Sequence, residues 1–296
     1  MPYYAVPYEN LTRTVGCWTA KNQLSCLRSL SQEDLYAGQQ SLTWNPLIDG
    51  EFLTGYPSQL IREGRYNKVP LLIGANTDEG FGIGNPETDE ELFHEMYRWR
   101  NYGLSAPNMR KLMELYPDDP CNAPPYAIWN CTRHPTRRRQ ARRASAIGAD
   151  VVMISGRRKM AELLTEDGMP VYSYRFDQVR ADRTEWDGVR HFDNVEFSFQ
   201  NMTGLLGPSP KYDSHRDLAR AIGQAYVRFV YDLDPNYNED KYGEQENQLP
   251  EWPVYDLEEP KNMVLNATQN WVEDDTWRKE GIDFINSFEV ARELYA

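Results

Sequence analysis

The stretch Val69-Pro-Leu-Leu-Ile-Gly-Ala-Asn-Thr-Asp-Glu-Gly80 decides how the rest of the chain reads. Its first half is a short apolar run bounded by turn residues, the pattern of a strand buried in a parallel sheet. Its second half, Ala75-Asn-Thr-Asp-Glu-Gly80, then forms the loop at the carboxyl end of that strand, where open α/β sheets collect their ligands and catalytic groups. Further along, Met169-Pro-Val-Tyr-Ser-Tyr-Arg-Phe176 alternates and is aromatic, and predicts a second buried strand. Between the two, residues 88–116 predict two helices parted at Pro107, with Leu92, Met96, Trp99, Leu112, Leu115 and Tyr116 at helical spacing. Residues 136–167 predict one long helix or two. Ser31 caps a short helix, residues 213–233 carry an apolar stripe, and a last helix is expected near 274–293. Residues 1–30 read as loop with one short helix. Residues 44–64, 117–135 and the Trp-rich tail from about 234 read as loop. Strands separated by helices give the α/β class.

Composition sets outer limits. The 296 residues are 40% hydrophobic and 12% aromatic, ample for a core. A net charge of −13 argues against a nucleic-acid partner, which demands a basic face. No run of about 18 apolar residues occurs, so no transmembrane helix is expected. Cys17/Cys26 and Cys121/Cys131 are two close pairs without zinc-finger spacing, and two short disulfide loops are the better reading against four reduced thiols. Asn10, Asn130, Asn201 and Asn266 begin N-x-[ST] sequons. Both features suit an extracellular protein. The first ten residues, Met1-Pro-Tyr-Tyr-Ala-Val-Pro-Tyr-Glu-Asn10, have neither the basic nor the apolar region of a signal peptide.

Several residues could carry chemistry. Glu79, just past a buried strand, can orient an imidazole and stabilise its cation. His191, in a loop ahead of a Phe-rich segment, is a candidate general base among only four histidines (His94, His134, His191 and His215). His94-Glu95 opens like a zinc-protease helix, but Arg98 stands at the second ligand position, so no metal follows. Residues 133–159 hold nine Lys and Arg against Asp150 alone, and pairing with the protein's own acids is the expected fate of this charge. No dinucleotide fingerprint, no Walker A motif and no G-x-S-x-G elbow is present; Gly207-Pro-Ser-Pro-Lys211 lacks the final glycine. Ser145 and Thr77 are the remaining, weaker candidates for a nucleophile.

Taken together these segments resemble the C-terminal part of a type-B carboxylesterase, the carboxylesterase/lipase group that includes cholinesterases and fungal secreted esterases. Gly16-Cys17 through Leu24-Ser-Cys-Leu-Arg-Ser-Leu30 is similar to its second disulfide loop, and Val69–Gly80 to its acid motif. Gly188-Val-Arg-His191 with Val195-Glu-Phe-Ser-Phe199 resembles its histidine motif. Trp252-Pro and Asp275-Thr-Trp-Arg278 resemble its C-terminal signature. Tyr116-Pro-Asp-Asp-Pro-Cys121, Arg142-Arg143 with Gly148-Ala-Asp150, and Val171–Asp177 are similar to stretches of fungal members. Asn194 departs from the acid often found there.

The resemblance implies an α/β-hydrolase fold and a Ser-Glu-His triad acting on small-molecule esters or lipids without a cofactor. Glu79 would be the triad acid and His191 the base, in the chain order Ser, acid, His. Residues 1–296 would be a partial domain with an incomplete central sheet. The nucleophile elbow and oxyanion loop would lie N-terminal of Met1, so this chain would have little activity of its own. A non-catalytic, cholinesterase-like binding or adhesion protein is the alternative. The resemblance sets no oligomeric state.

Overall fold

The structure is a computed structural model that describes residues 2–40, 42, 46, 48–99, 104–122, 131–201, 203, 211–243 and 249–295. The chain divides into two compact units, Met1–Leu60 and Ile61–Ala296. In the first, helices Pro2–Thr14, Gln23–Ser29 and Gln32–Gln39 gather around Leu11, Cys17 and Leu27. The Ser31 hydroxyl accepts the Asp34 N–H at 3.1 Å, as an N-cap should. The first helix corrects the expectation of loop. Pro7 removes one of its backbone hydrogen bonds, yet Leu11 is buried beneath it and the Cys17–Cys26 disulfide pins the turn that follows.

The second unit is built on a four-stranded sheet in the order β1 (Leu71–Asn76), β2 (Val171–Phe176), β3 (Lys261–Leu265), β4 (Trp271–Asp274). β1–β2 and β2–β3 pair in parallel, β3–β4 antiparallel. Both expected strands are present. β3 and β4 correct the reading of the tail as loop: one is five residues long, the other four, and the second ends in Glu273-Asp274. Such short, polar runs lack the pattern that marks a buried strand. The turn between them is held by side chains, with Asn270 Oδ1 accepting the Asn266 N–H and Asn266 Oδ1 the Thr268 N–H.

Alternation along the strands sorts the core into two layers. Leu72, Tyr172, Tyr174, Phe176, Met263 and Leu265 pack with Leu218, Ile222 and Ala225 of helix Asp213–Asp232. Leu71, Ile73 and Val171 meet Ala161, Leu163 and Leu164 of helix Ser155–Glu166 on the other face. Gly74 faces Tyr174 across β1–β2, and a Cβ there would lie 2.3 Å from the ring, so the aromatic strand requires a glycine partner.

The helical expectations at 88–116 resolve as Asp89–Trp99 and Ala106–Leu115, with Pro107 in the first turn of the second. Residues 141–166 run without a break as Ala141–Ala149, a π-helical turn Asp150–Ile154, and Ser155–Glu166. The expected final helix is instead two, Lys279–Ile285 and Phe288–Tyr295, and starts later than 274 because 271–274 belong to β4.

The basic run pairs internally, as expected. Arg133 and Arg139 hold Asp118, Arg138 holds Glu91, and Arg143 holds Asp89, at 2.8–2.9 Å. Arg157 and Arg158 meet on buried Asp275, which also accepts from Tyr255 and Asn262. Among the described residues, no helix is long and apolar enough to cross a membrane.

Candidate active site

β1 ends at Asn76, and the loop beyond it turns under the segment that carries His191. Thr77 continues the strand ladder by donating its N–H to the Phe176 carbonyl at 3.1 Å. Gly80 packs directly on helix Ala141–Ala149; a Cβ at this position would lie 2.2 Å from the Ser145 carbonyl oxygen. Only a residue without a side chain lets the loop pass so close.

Glu79 and His191, 112 residues apart, meet in this loop. The Glu79 Oε2 lies 2.6 Å from His191 Nδ1, and its Oε1 accepts the Asn76 N–H at 2.7 Å. An ionised carboxylate only accepts, so Nδ1 carries the proton and Nε2 is left as the basic nitrogen. The Glu79 side chain is 4% exposed and that of His191 is 58% exposed, which presents the ring outward from a buried anchor. Burial pushes the Glu79 carboxyl up; the Asn76 N–H and His191 oppose that shift.

The histidine loop is fixed from several directions. Asn76 Nδ2 donates to the Arg190 carbonyl at 2.7 Å. Asp193 accepts the Arg190 N–H at 2.8 Å and is itself held by Arg183 at 2.6 Å. Phe192, next to the histidine, has φ +78°, a left-handed conformation that a bulky side chain tolerates only where its surroundings enforce it. Asn194 accepts from Asn76 Nδ2 at 3.3 Å and interacts with the buried Tyr174 hydroxyl, whose pKa burial raises.

The other candidates are not brought to this place. His94 lies on an exposed helix face near Glu90, His134 packs on Phe81 and Trp186, and His215 is buried against Phe197. Ser145 is buried with its hydroxyl donating to the Ala141 carbonyl, and Thr77 is buried with its hydroxyl on Asp177. Neither is available as a nucleophile. Gly207–Pro210 lie outside the described residues. Asn76 and Asp78 lie within the acid motif and Asn194 beside the histidine motif, but sequence reasoning gave none of these, nor Asp193, a part in holding the site. Nothing in their spacing marks them: the partners of Asn76, Asp78 and Asn194 lie more than a hundred residues away, and Arg183 and Arg190, which hold Asp193, are close in sequence but carry no motif.

Both cysteine pairs form disulfides, Cys17–Cys26 and Cys121–Cys131. Of the sequon asparagines, Asn10 is exposed on its helix, Asn201 is buried, and Asn266 Nδ2 donates to the Asp177 carbonyl at 2.8 Å. Asn130 lies outside the described residues.

Comparison with known proteins gives a consistent result. The model of the carboxylesterase family matches residues 6–285. The secreted triacylglycerol lipase LIP1 of Gibberella zeae is 26% identical over 94% of this chain and 46% of its own length. Acetylcholinesterase of Leptinotarsa decemlineata is 26% identical over 82% of this chain and 37% of its own. The crystal structure of Aspergillus niger EstA superposes with a TM-score of 0.79 at 18% identity, covering 97% of this chain and 55% of that one. The chain spans about half the length of the curated relatives it matches. The expected α/β-hydrolase architecture is thus present. With the family model covering nearly its whole length, the chain belongs to the carboxylesterase family.

Proposed function

We propose that this chain supplies the acid and the base of a serine-type carboxylic ester hydrolase, with Glu79 as the orienting carboxylate and His191 as the general base. The observation that carries the reading is the 2.6 Å contact from a buried carboxylate to Nδ1 of an outward-facing imidazole. In the reaction, Nε2 takes the proton of a serine hydroxyl as that oxygen attacks the ester carbonyl, then returns it to the departing alcohol. Glu79 holds the tautomer and steadies the imidazolium. Backbone N–H groups stabilise the oxyanion. Nucleophile and oxyanion donors are supplied from outside residues 1–296, which form a partial domain with little turnover alone. Small-molecule esters or lipids are the substrates, and the chemistry needs no cofactor.

The two disulfides and the secreted lipases among its relatives support an extracellular setting. Asn10 is the sequon best placed for a glycan. A non-catalytic binding role is the second reading, but it gives no reason for Glu79 and His191 to stay in register.

The test uses a fluorophosphonate probe and a p-nitrophenyl butyrate assay. The 296-residue chain alone is expected neither to label nor to turn over. Joined to the N-terminal half of a family member bearing G-x-S-x-G, it is expected to gain turnover that His191→Gln abolishes. Labelling of a serine within residues 1–296, or turnover indifferent to His191→Gln, overturns the reading.

A further inference from the structure

Asp78 precedes the proposed acid but points the opposite way, into the protein, and is fully buried. Its N–H donates to the Val189 carbonyl at 2.9 Å, and its Oδ2 accepts the Val189 N–H at 2.8 Å. One residue therefore answers both backbone groups of Val189, two positions before His191. The contact is part of a parallel bridge between Asp78 and Arg190, where the acid loop and the histidine loop run side by side as backbone.

The His191 side chain is mostly exposed, so packing does not fix it. Its place depends on where the backbone of 189–190 is held, and Asp78 makes two of the hydrogen bonds that hold it. The other Asp78 oxygen, Oδ1, is buried with no hydrogen-bond partner among the described residues. Burying a carboxyl group with one oxygen on a single backbone N–H and the other without a protein partner costs more than an apolar side chain would.

We propose that Asp78 is a positioning residue: by taking the Val189 N–H it sets the segment 188–191 at the height that brings His191 Nδ1 onto Glu79. This rests on the proposed roles of Glu79 and His191. Burial pushes the Asp78 carboxyl up to about 7, with the Val189 hydrogen bond opposing it, Asp177 adding to it, and Arg278 and Arg175 opposing it. Arg142 also feels its charge. The acceptor oxygen survives protonation, so the clasp needs an oxygen at this place rather than a full negative charge.

The experiment reads the histidine ring directly, on the 296-residue chain labelled with 15N-histidine and assigned with His191→Gln. At pH 9 the wild-type ring is expected as the Nδ1–H tautomer, fixed by Glu79. Asp78→Ala is expected to return it to the Nε2–H tautomer that free histidine prefers. Asp78→Asn keeps the acceptor oxygen and is expected to keep the Nδ1–H tautomer. An unchanged tautomer in folded Asp78→Ala overturns the proposal. If Asp78→Ala does not fold, Asp78→Asn decides: retention of the Nδ1–H tautomer supports the clasp, and its loss overturns it. The ring readout is independent of turnover, so failure here is separable from failure of His191 as the base.

Discussion

Gly80 and Ala149 touch backbone to backbone: a Cβ on Gly80 would lie 2.3 Å from the Ala149 nitrogen. The loop that presents Glu79 is thus seated against the end of helix Ala141–Ala149, with no side chain between them. Gly80→Ala must push two rigid elements apart, since no flexible side-chain tip can yield. The expected cost is about 2–3 kcal/mol of stability, in the range of overpacked cores. Urea denaturation of the variant beside wild type measures it, and an unchanged midpoint would show that the loop moves freely.

Glu79→Gln is the sharper probe of the catalytic proposal. In the chain completed with a nucleophile-bearing half, it keeps the shape of the acid and removes the charge facing the imidazolium. The expected fall in kcat is about 10³- to 10⁴-fold with KM little changed, as for a triad whose acid sets the tautomer. A loss of less than tenfold would put the orienting role elsewhere.

Asp78 also makes a pH prediction. Its carboxyl titrates near 7 when folded because it is buried, against an ordinary value of 3.8. A raised acid favours the folded state while protonated. Its full contribution is therefore present below about pH 4 and is lost as pH rises from 4 through 7. Asp78→Asn cannot ionise, so it is expected to match wild type near pH 4 and to exceed it at pH 8 by about 2–4 kcal/mol. Thermal or urea unfolding at the two pH values checks this; equal differences at both would exclude the linkage.

Asp275 behaves in the opposite sense. Burial pushes its carboxyl up, but Arg157 and Arg158 outweigh that and hold it well below the ordinary carboxylate range. Its stabilisation is present above pH 4 and lost as pH falls below that. Asp275→Asn leaves two buried guanidinium groups without their anion, and about 3–5 kcal/mol of stability is expected to go. Chemical denaturation at pH 7 is the measurement, and a loss below 1 kcal/mol would show that the arginines find other partners.

The parts of this protein legible in its sequence are those whose physics is local. β1 and β2 are continuous apolar or alternating runs, and the Pro107 break follows from the ring's geometry. The internal pairing of the Arg-rich helix follows from placing nine cations in an acidic chain. Glu79, His191 and their pairing could be named from motif resemblance, but not the residues that hold the two loops together. What stayed hidden is what depends on distant partners. β3 extends the edge that β2 offers at Tyr174–Phe176, and β4 in turn pairs with β3. The helix Pro2–Thr14 forms despite two prolines. Asp78 looks like a solvated turn acid until Val189 arrives from 111 residues away.

That separation has a consequence in time. β1 pairs with β2 across about a hundred residues, and the Glu79–His191 contact closes a span of 112. Each such closure costs chain entropy before any contact offsets it, so slow folding with helices ahead of the sheet is the expected order, checked by stopped-flow circular dichroism against tryptophan fluorescence. Glu79 and His191 are therefore expected to be among the last residues to find one another. A chain that has made its secondary structure but not its register carries Glu79 and His191, and none of the geometry that joins them.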